Sequence, residues 1–167
     1  MTAAPVLLNG LPGSPYTRKM VALLRYRHIA YRLVPSATPI AGQPQPRPPL
    51  LPTFYLPDAQ GVVQAVTDST PLIRRFEAEH AGRSVIPPDP ALAFVDALLE
   101  DFADEWLTKA MFHYRWSYPA DIDKAGRVLG CWRGAPQDDA ALAQTAAAVA
   151  GRQIPRLRYV GSNPVTG

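Results

Sequence analysis

Leu50-Leu51-Pro52-Thr53-Phe54-Tyr55-Leu56-Pro57-Asp58-Ala59-Gln60-Gly61-Val62-Val63-Gln64-Ala65-Val66-Thr67-Asp68-Ser69-Thr70-Pro71 is the stretch whose reading decides the fold. Thr53 to Leu56 is a short β-prone run, and the turn residues Pro57 to Gly61 end in glycine. Val62 to Thr67 is rich in β-branched residues, as a second strand should be. Thr70 before Pro71 then signals a helix, with Thr70 as N-cap and proline at the first helical position. A hairpin opened by Leu-Pro and closed by Asp-Ser asks whether the rest of the chain supplies the other half of a binding site.

Working outward from this hairpin, Val6-Leu7-Leu8 reads as a short buried strand ending in the loop signal Asn9-Gly10-Leu11-Pro12-Gly13. Ser14-Pro15 opens a helix with Tyr16, Met20, Leu23 and Leu24 on one apolar face. Ile29 to Val34 alternates like a second strand. Strand, helix, strand in about thirty residues is a βαβ unit with parallel strands and a right-handed crossover. Residues 35–49 hold six prolines and are expected to cross the surface as a loop. After Pro71, Leu72, Ile73 and Phe76 form the buried side of a helix that Gly82 closes.

Ser84 to Pro90 is a stiff proline-rich linker. Beyond it no strand pattern is visible. Ala91 to about Trp116 reads as one long helix, with Phe94, Leu98, Phe102, Trp106 and Ala110 on one stripe. Asp121 to Trp132 is expected to form a second helix. A third, alanine-rich one begins at Asp138-Asp139 and ends at Gly151 or continues, kinked, past Pro155. Residues 161–167 read as loop.

The 167 residues suffice for one cored domain, or one small domain plus part of another. Residues 1–90 hold 9 Lys/Arg against 5 Asp/Glu, and residues 91–167 hold 8 against 9, a bias too mild to point to nucleic acid. Cys131 is the single cysteine, which excludes an internal disulfide, a cysteine-based zinc cluster and a Cys-x-x-Cys pair. A reducing, cytoplasmic setting is expected, for an unprocessed chain with no run long enough to span a bilayer. Cys131 is expected to be a buried, inert thiol, and His113 has no metal partner at helical spacing.

At Ser14-Pro15-Tyr16-Thr17-Arg18-Lys19, Leu51-Pro52 and Asp68-Ser69 together, the chain resembles a glutathione S-transferase. The resemblance covers residues 5–83 well and 90–160 more loosely. No single motif is specific; their order and spacing carry the match. It implies an α/β thioredoxin-like N-terminal domain of β-α-β-α-β-β-α type over residues 1–83. A linker at 84–90 and an all-α C-terminal domain over 91–167 follow. That last domain is shorter than the family's usual helical domain, so it is expected to be an incomplete or shortened version with apolar surface uncovered.

The resemblance also assigns roles. Pro52 would be a cis-proline that presents the Leu51 main chain to the cysteine of glutathione. Ser69, at a helix N-terminus, would hold the γ-glutamyl carboxylate, and Asp68 would face the γ-glutamyl ammonium. Ser14 would stand at the catalytic position and donate a hydrogen bond to the glutathione thiolate. The first strand lacks the tyrosine that some family members use there, and serine at 14 removes thiol-exchange chemistry. Tyr16, Trp106 and Phe112 are candidates for the electrophile pocket, although Tyr16 and most aromatics of Asp104–Trp116 are expected to pack as core. Arg18, Lys19 and Arg47 are expected to be solvated, one of them reaching the glycine carboxylate. The implied function is conjugation of glutathione thiolate to a small electrophile in detoxification, by a homodimer with glutathione as co-substrate. Neither a metal, a nucleic acid nor a membrane is implied. The alternative is a non-catalytic binding or dimerisation module on the same fold.

Overall fold

The computed structural model describes residues 4–36, 38–132, 134–135, 137–163 and 165. Two compact units divide the chain at Ala93/Phe94.

The first unit is built on strands β1 (Val6–Gly10), β2 (Tyr31–Pro35), β3 (Thr53–Pro57) and β4 (Val63–Val66) and helices α1 (Pro15–Tyr26) and α2 (Ser69–Glu79). The sheet order is β2-β1-β3-β4. β1 and β2 run parallel, as a βαβ unit requires, while β3 is antiparallel to both β1 and β4. Strand alternation separates the two faces. Leu8, Phe54 and Leu56 join Met20, Leu23 and Leu24 of α1 and Leu72 and Phe76 of α2 in one buried cluster. The Phe54 and Phe76 rings lie 5.6 Å apart in a tilted arrangement. On the other face Asn9 Nδ2 donates to Thr38 O at 2.8 Å, and the Tyr55 hydroxyl accepts from Ile40 N–H at 3.2 Å. These bonds tie the proline-rich loop to the sheet. Between β2 and β3 this loop stands, among the described residues, where the family pattern has a helix.

The start of α2 differs from the Thr70-Pro71 expectation. Asp68 is the N-cap, its carboxylate accepting from Thr70 N–H at 3.2 Å, and the helix begins at Ser69. Asp68, Ser69 and Thr70 are all good caps, and Pro71 is tolerated anywhere in the first turn, where N–H groups lack helical partners. The expected buried side of α2 is observed, with Leu72 and Phe76 fully covered.

The second unit is helical throughout its regular elements. α3 (Pro90–Phe102) leads through a five-residue π-helical turn, Ala103–Leu107, into α4 (Thr108–Trp116). α5 (Pro119–Cys131), α6 (Asp139–Gln153) and a 3₁₀ segment (Ile154–Val160) follow. The single long helix expected from Ala91 to Trp116 is thus interrupted by the π-turn, which rotates the stripe out of register. α6 runs past Gly151, and Pro155 falls in the 3₁₀ segment. Of the expected terminal loop 161–167, residues 164, 166 and 167 lie outside the described residues.

Two burial expectations are corrected. Phe94, Leu98 and Phe102 are exposed, as expected of an uncovered apolar stripe, but of the aromatics in Asp104–Trp116, expected mostly to pack as core, only Trp116 is fully buried. Cys131 is exposed, not buried. α5 packs on α6 through Gly126 and Gly130, and a Cβ at Gly126 would lie 3.0 Å from the Ala146 carbonyl oxygen. Cys131, one residue beyond Gly130, is rotated off that face by about 100°.

Candidate functional site

The site residues of the first unit are set by the turn from β1 into α1. Gly10, the last residue of β1, lies against Thr17, and a Cβ there would meet Thr17 Oγ1 at 2.6 Å. Only glycine lets the strand end approach the first helical turn this closely. Ser14 is the N-cap of α1: its Oγ accepts from Thr17 N–H at 3.2 Å, and Pro15 occupies the first helical position. A hydroxyl has one donor and two acceptor positions. Capping uses an acceptor, so the Ser14 O–H remains able to donate.

β3 enters beside this turn, since Asn9 lies opposite Thr53 in the ladder. The Leu51–Pro52 bond immediately before Thr53 is cis, and Pro52 is buried. Thr53 Oγ1 donates to Leu50 O at 2.7 Å, which fixes the chain on the near side of Leu51. Among the described residues, no protein group pairs with the Leu51 N–H or C=O. A main chain with both groups unused, directly before a strand, is an edge onto which a peptide can add.

At the start of α2, Asp68 has φ +79 and ψ 122, a backbone conformation that L-residues adopt at a cost of about 1–3 kcal/mol. Ser69 is buried, and its Oγ accepts from Lys19 Nζ at 3.1 Å. This hydrogen bond joins α1 to the N-terminus of α2. Lys19, expected to be solvated, is half-buried: its ammonium stands at the α2 N-terminus beside Ser69. The available signal was spacing. Lys19 follows Ser14 by five residues and adjoins the buried Met20, so it leaves α1 at the edge of the packed face.

Behind the site, Arg27 at the C-terminus of α1 is buried and paired with Glu77 of α2 at 2.5 Å, and it also donates to the carbonyls of His80 and Gly82. Burial works against ionisation of Glu77. Hydrogen bonds from the Ser84 hydroxyl and Val85 N–H, with the Arg27 charge, outweigh it and hold the carboxyl below its ordinary value. The pair locks the far ends of α1 and α2 and so fixes the spacing of their N-termini.

Tyr16 is half-buried in the first unit. In the second unit Trp106 is exposed, with Lys109 Nζ 4.5 Å from its ring centroid, and Phe112 is half-buried, 6.4 Å from the Trp116 ring. His113 Nδ1 is 2.6 Å from Ser162 Oγ and 3.0 Å from Ser117 Oγ. No group of side chains able to hold a metal ion occurs among the described residues, and no helix there is long and apolar enough to cross a membrane.

Residues 8–84 match the family model for the glutathione S-transferase N-terminal domain. No curated protein matches the chain. The matched span runs from within β1 through α2 and includes Ser14, Lys19, Leu51, Pro52, Asp68 and Ser69. Residues 8–84 thus form a glutathione S-transferase N-terminal domain.

Proposed function

We propose that the first unit binds glutathione and that the chain conjugates its thiolate to a small electrophile. The observation that carries this reading is the Lys19–Ser69 hydrogen bond. Ser14 and Lys19 are five residues apart, about 7.5 Å along the axis of α1. Two residues of extended peptide cover about 7 Å. The α2 N-terminus and Ser14 are therefore suited to the γ-glutamyl and cysteinyl parts of one extended tripeptide, with the Leu51 edge for its main chain.

On this reading the Ser69 and Thr70 region, with Lys19, takes the γ-glutamyl carboxylate through donors and positive charge. Asp68, which is exposed, faces the ammonium. The Ser14 hydroxyl donates to the sulfur. A free thiol has a pKa of about 8.5, and each unit removed favours the thiolate by about 1.4 kcal/mol. The thiol proton passes to water, and the sulfur lone pair forms the carbon–sulfur bond. The leaving group departs with the electron pair of the bond that breaks. Ser14 transfers no proton in that step. Tyr16 is the proposed electrophile contact within the first unit. A homodimer in a reducing, cytoplasmic setting belongs to the same reading.

The capping bond from Thr17 N–H gives Ser14 a purely structural reason to exist, and this favours the alternative, a non-catalytic glutathione-binding module. Retention on immobilised glutathione and turnover of a generic aryl halide separate the two. Ser14→Ala is expected to keep retention and lose turnover, while losing about 1 kcal/mol of stability as a cap. Unchanged turnover would remove Ser14 from the chemistry.

A further inference from the structure

The 3₁₀ segment Ile154–Val160 ends at Gly161, whose φ of +75 turns the chain back on itself. Ser162 N–H donates to Leu157 O at 3.2 Å and closes that turn. The turn carries the half-buried Ser162 to His113 of α4, with Oγ 2.6 Å from Nδ1. A serine nucleophile needs its general base at this range, about 2.6–3.2 Å. The imidazole is held on several sides. Ser117 Oγ, at the end of α4, lies 3.0 Å from the same nitrogen. The Tyr114 and Tyr118 rings make T-shaped contacts with it, their centroids 5.1 and 5.8 Å away. With the ring proton on Nε2, Nδ1 presents one lone pair, and Ser162 is the closer of the two hydroxyls that can donate to it.

A groove of about 280 Å³, wholly within the second unit, opens on this pair. Small-molecule sites start at roughly 300 Å³, so only a short acyl group fits. Ala110 and Val160 give the groove apolar surface, and Lys109, one turn before His113 on the same side of α4, lines it with an ammonium. A positive charge there stabilises an oxyanion that develops beside Ser162. We propose that Ser162 and His113 form an acyl-transfer site for small esters of short-chain carboxylic acids. Ser162 Oγ attacks the carbonyl carbon while His113 Nδ1 takes the hydroxyl proton, and the carbonyl π pair moves onto oxygen. That pair returns as the bond to the alcohol oxygen breaks, and the alcohol leaves with the proton from His113. Water, giving a proton to His113, then attacks the acyl-serine. The carboxylic acid departs and the proton returns to Ser162. Among the described residues no carboxylate bonds the other ring nitrogen, so assistance is set at the low end for a general base, about a hundredfold. The site uses no residue assigned to glutathione and stands whether or not the chain conjugates anything.

The test is incubation of the full chain with p-nitrophenyl acetate in the absence of glutathione. Nitrophenolate release gives the rate, and mass spectrometry of the peptide carrying Ser162 gives the site. Acetylation is expected on Ser162, as an ester that hydroxylamine removes, about a hundredfold faster than on the exposed Ser84. Hydroxylamine separates this ester from acetyl-lysine amides, which resist it. Ser162→Ala, a change at the edge of the unit that keeps the fold, should abolish the fast phase of nitrophenolate release. His113→Gln should slow it by about a hundredfold. Ser117→Ala, which removes only the second hydroxyl on Nδ1, should leave acetylation of Ser162 in place. Acetylation confined to lysines, Ser162 acetylated no faster than Ser84, or a fast phase that survives in Ser162→Ala overturns the proposal. So does a folded His113→Gln that reacts at the parent rate.

Discussion

Asp68 carries two demands that point in opposite directions. Its carboxylate caps α2, but its φ of +79 is a conformation that glycine adopts without strain. Asp68→Gly should relieve that strain at a cost of a few tenths of a kcal/mol in capping and up to about 1 kcal/mol in backbone entropy. Stability is therefore expected to stay level or rise by up to about 2 kcal/mol in chemical denaturation. On the proposed function glutathione affinity falls in the same variant, by about tenfold, as an ionic contact is lost. A parallel fall in both quantities would mean that Asp68 is only a cap. Glu77 supplies a pH test of the scaffold. Its folded pKa lies below its ordinary 4.5, so its contribution is complete above that value. The contribution is lost as pH falls through the lower folded value. Glu77→Gln should be less stable at neutral pH and lose stability less steeply below 4.5 than the parent, as read by unfolding midpoints across that range. Curves of equal slope would show that the Arg27 pair contributes nothing.

The elements of the first unit were legible in the sequence because each is announced by local chemistry. Ser14-Pro15 starts α1 where expected, and the alternating and β-branched runs give the strands to within a residue or two. Less was legible where one local signal had several readings, as in Asp68-Ser69-Thr70-Pro71, or where the answer lay far along the chain. Lys19 meets Ser69 across fifty residues, and the spacing that puts Lys19 at the edge of the packed face of α1 does not say what it meets there. In α3 the periodicity of Phe94, Leu98 and Phe102 correctly marks a shared side, but periodicity does not say whether anything covers it. Phe94 is 68% exposed. Phe94→Glu is accordingly expected to leave the fold intact and, on the proposed homodimer, to shift the chain toward monomer in sedimentation at micromolar concentration. A dimer unaffected by it would place the interface elsewhere. Gly10 tests the β1–α1 turn: Gly10→Ala should cost about 1–3 kcal/mol by overpacking against Thr17, and Thr17→Ala should restore part of that loss. An additive double variant would show that the close approach is not what glycine is needed for.

At the scale of the whole molecule, the family and the fold of the first unit rest on concordant local structure and the match over residues 8–84. The chemistry rests on fewer contacts: a main-chain edge at Leu51, a helix start at Ser69 reached by Lys19, and a hydroxyl at Ser14 with its donor unspent. These argue for glutathione binding more strongly than for turnover, because two of the three contacts concern the peptide and only one the sulfur. The most direct test is a calorimetric titration of the full chain with glutathione, repeated on Ser69→Ala. The account predicts saturable binding to one site per chain, weakened about tenfold by Ser69→Ala through loss of a charge-assisted contact at the α2 N-terminus. No heat of binding from the folded chain, or equal affinity in the two proteins, would contradict it.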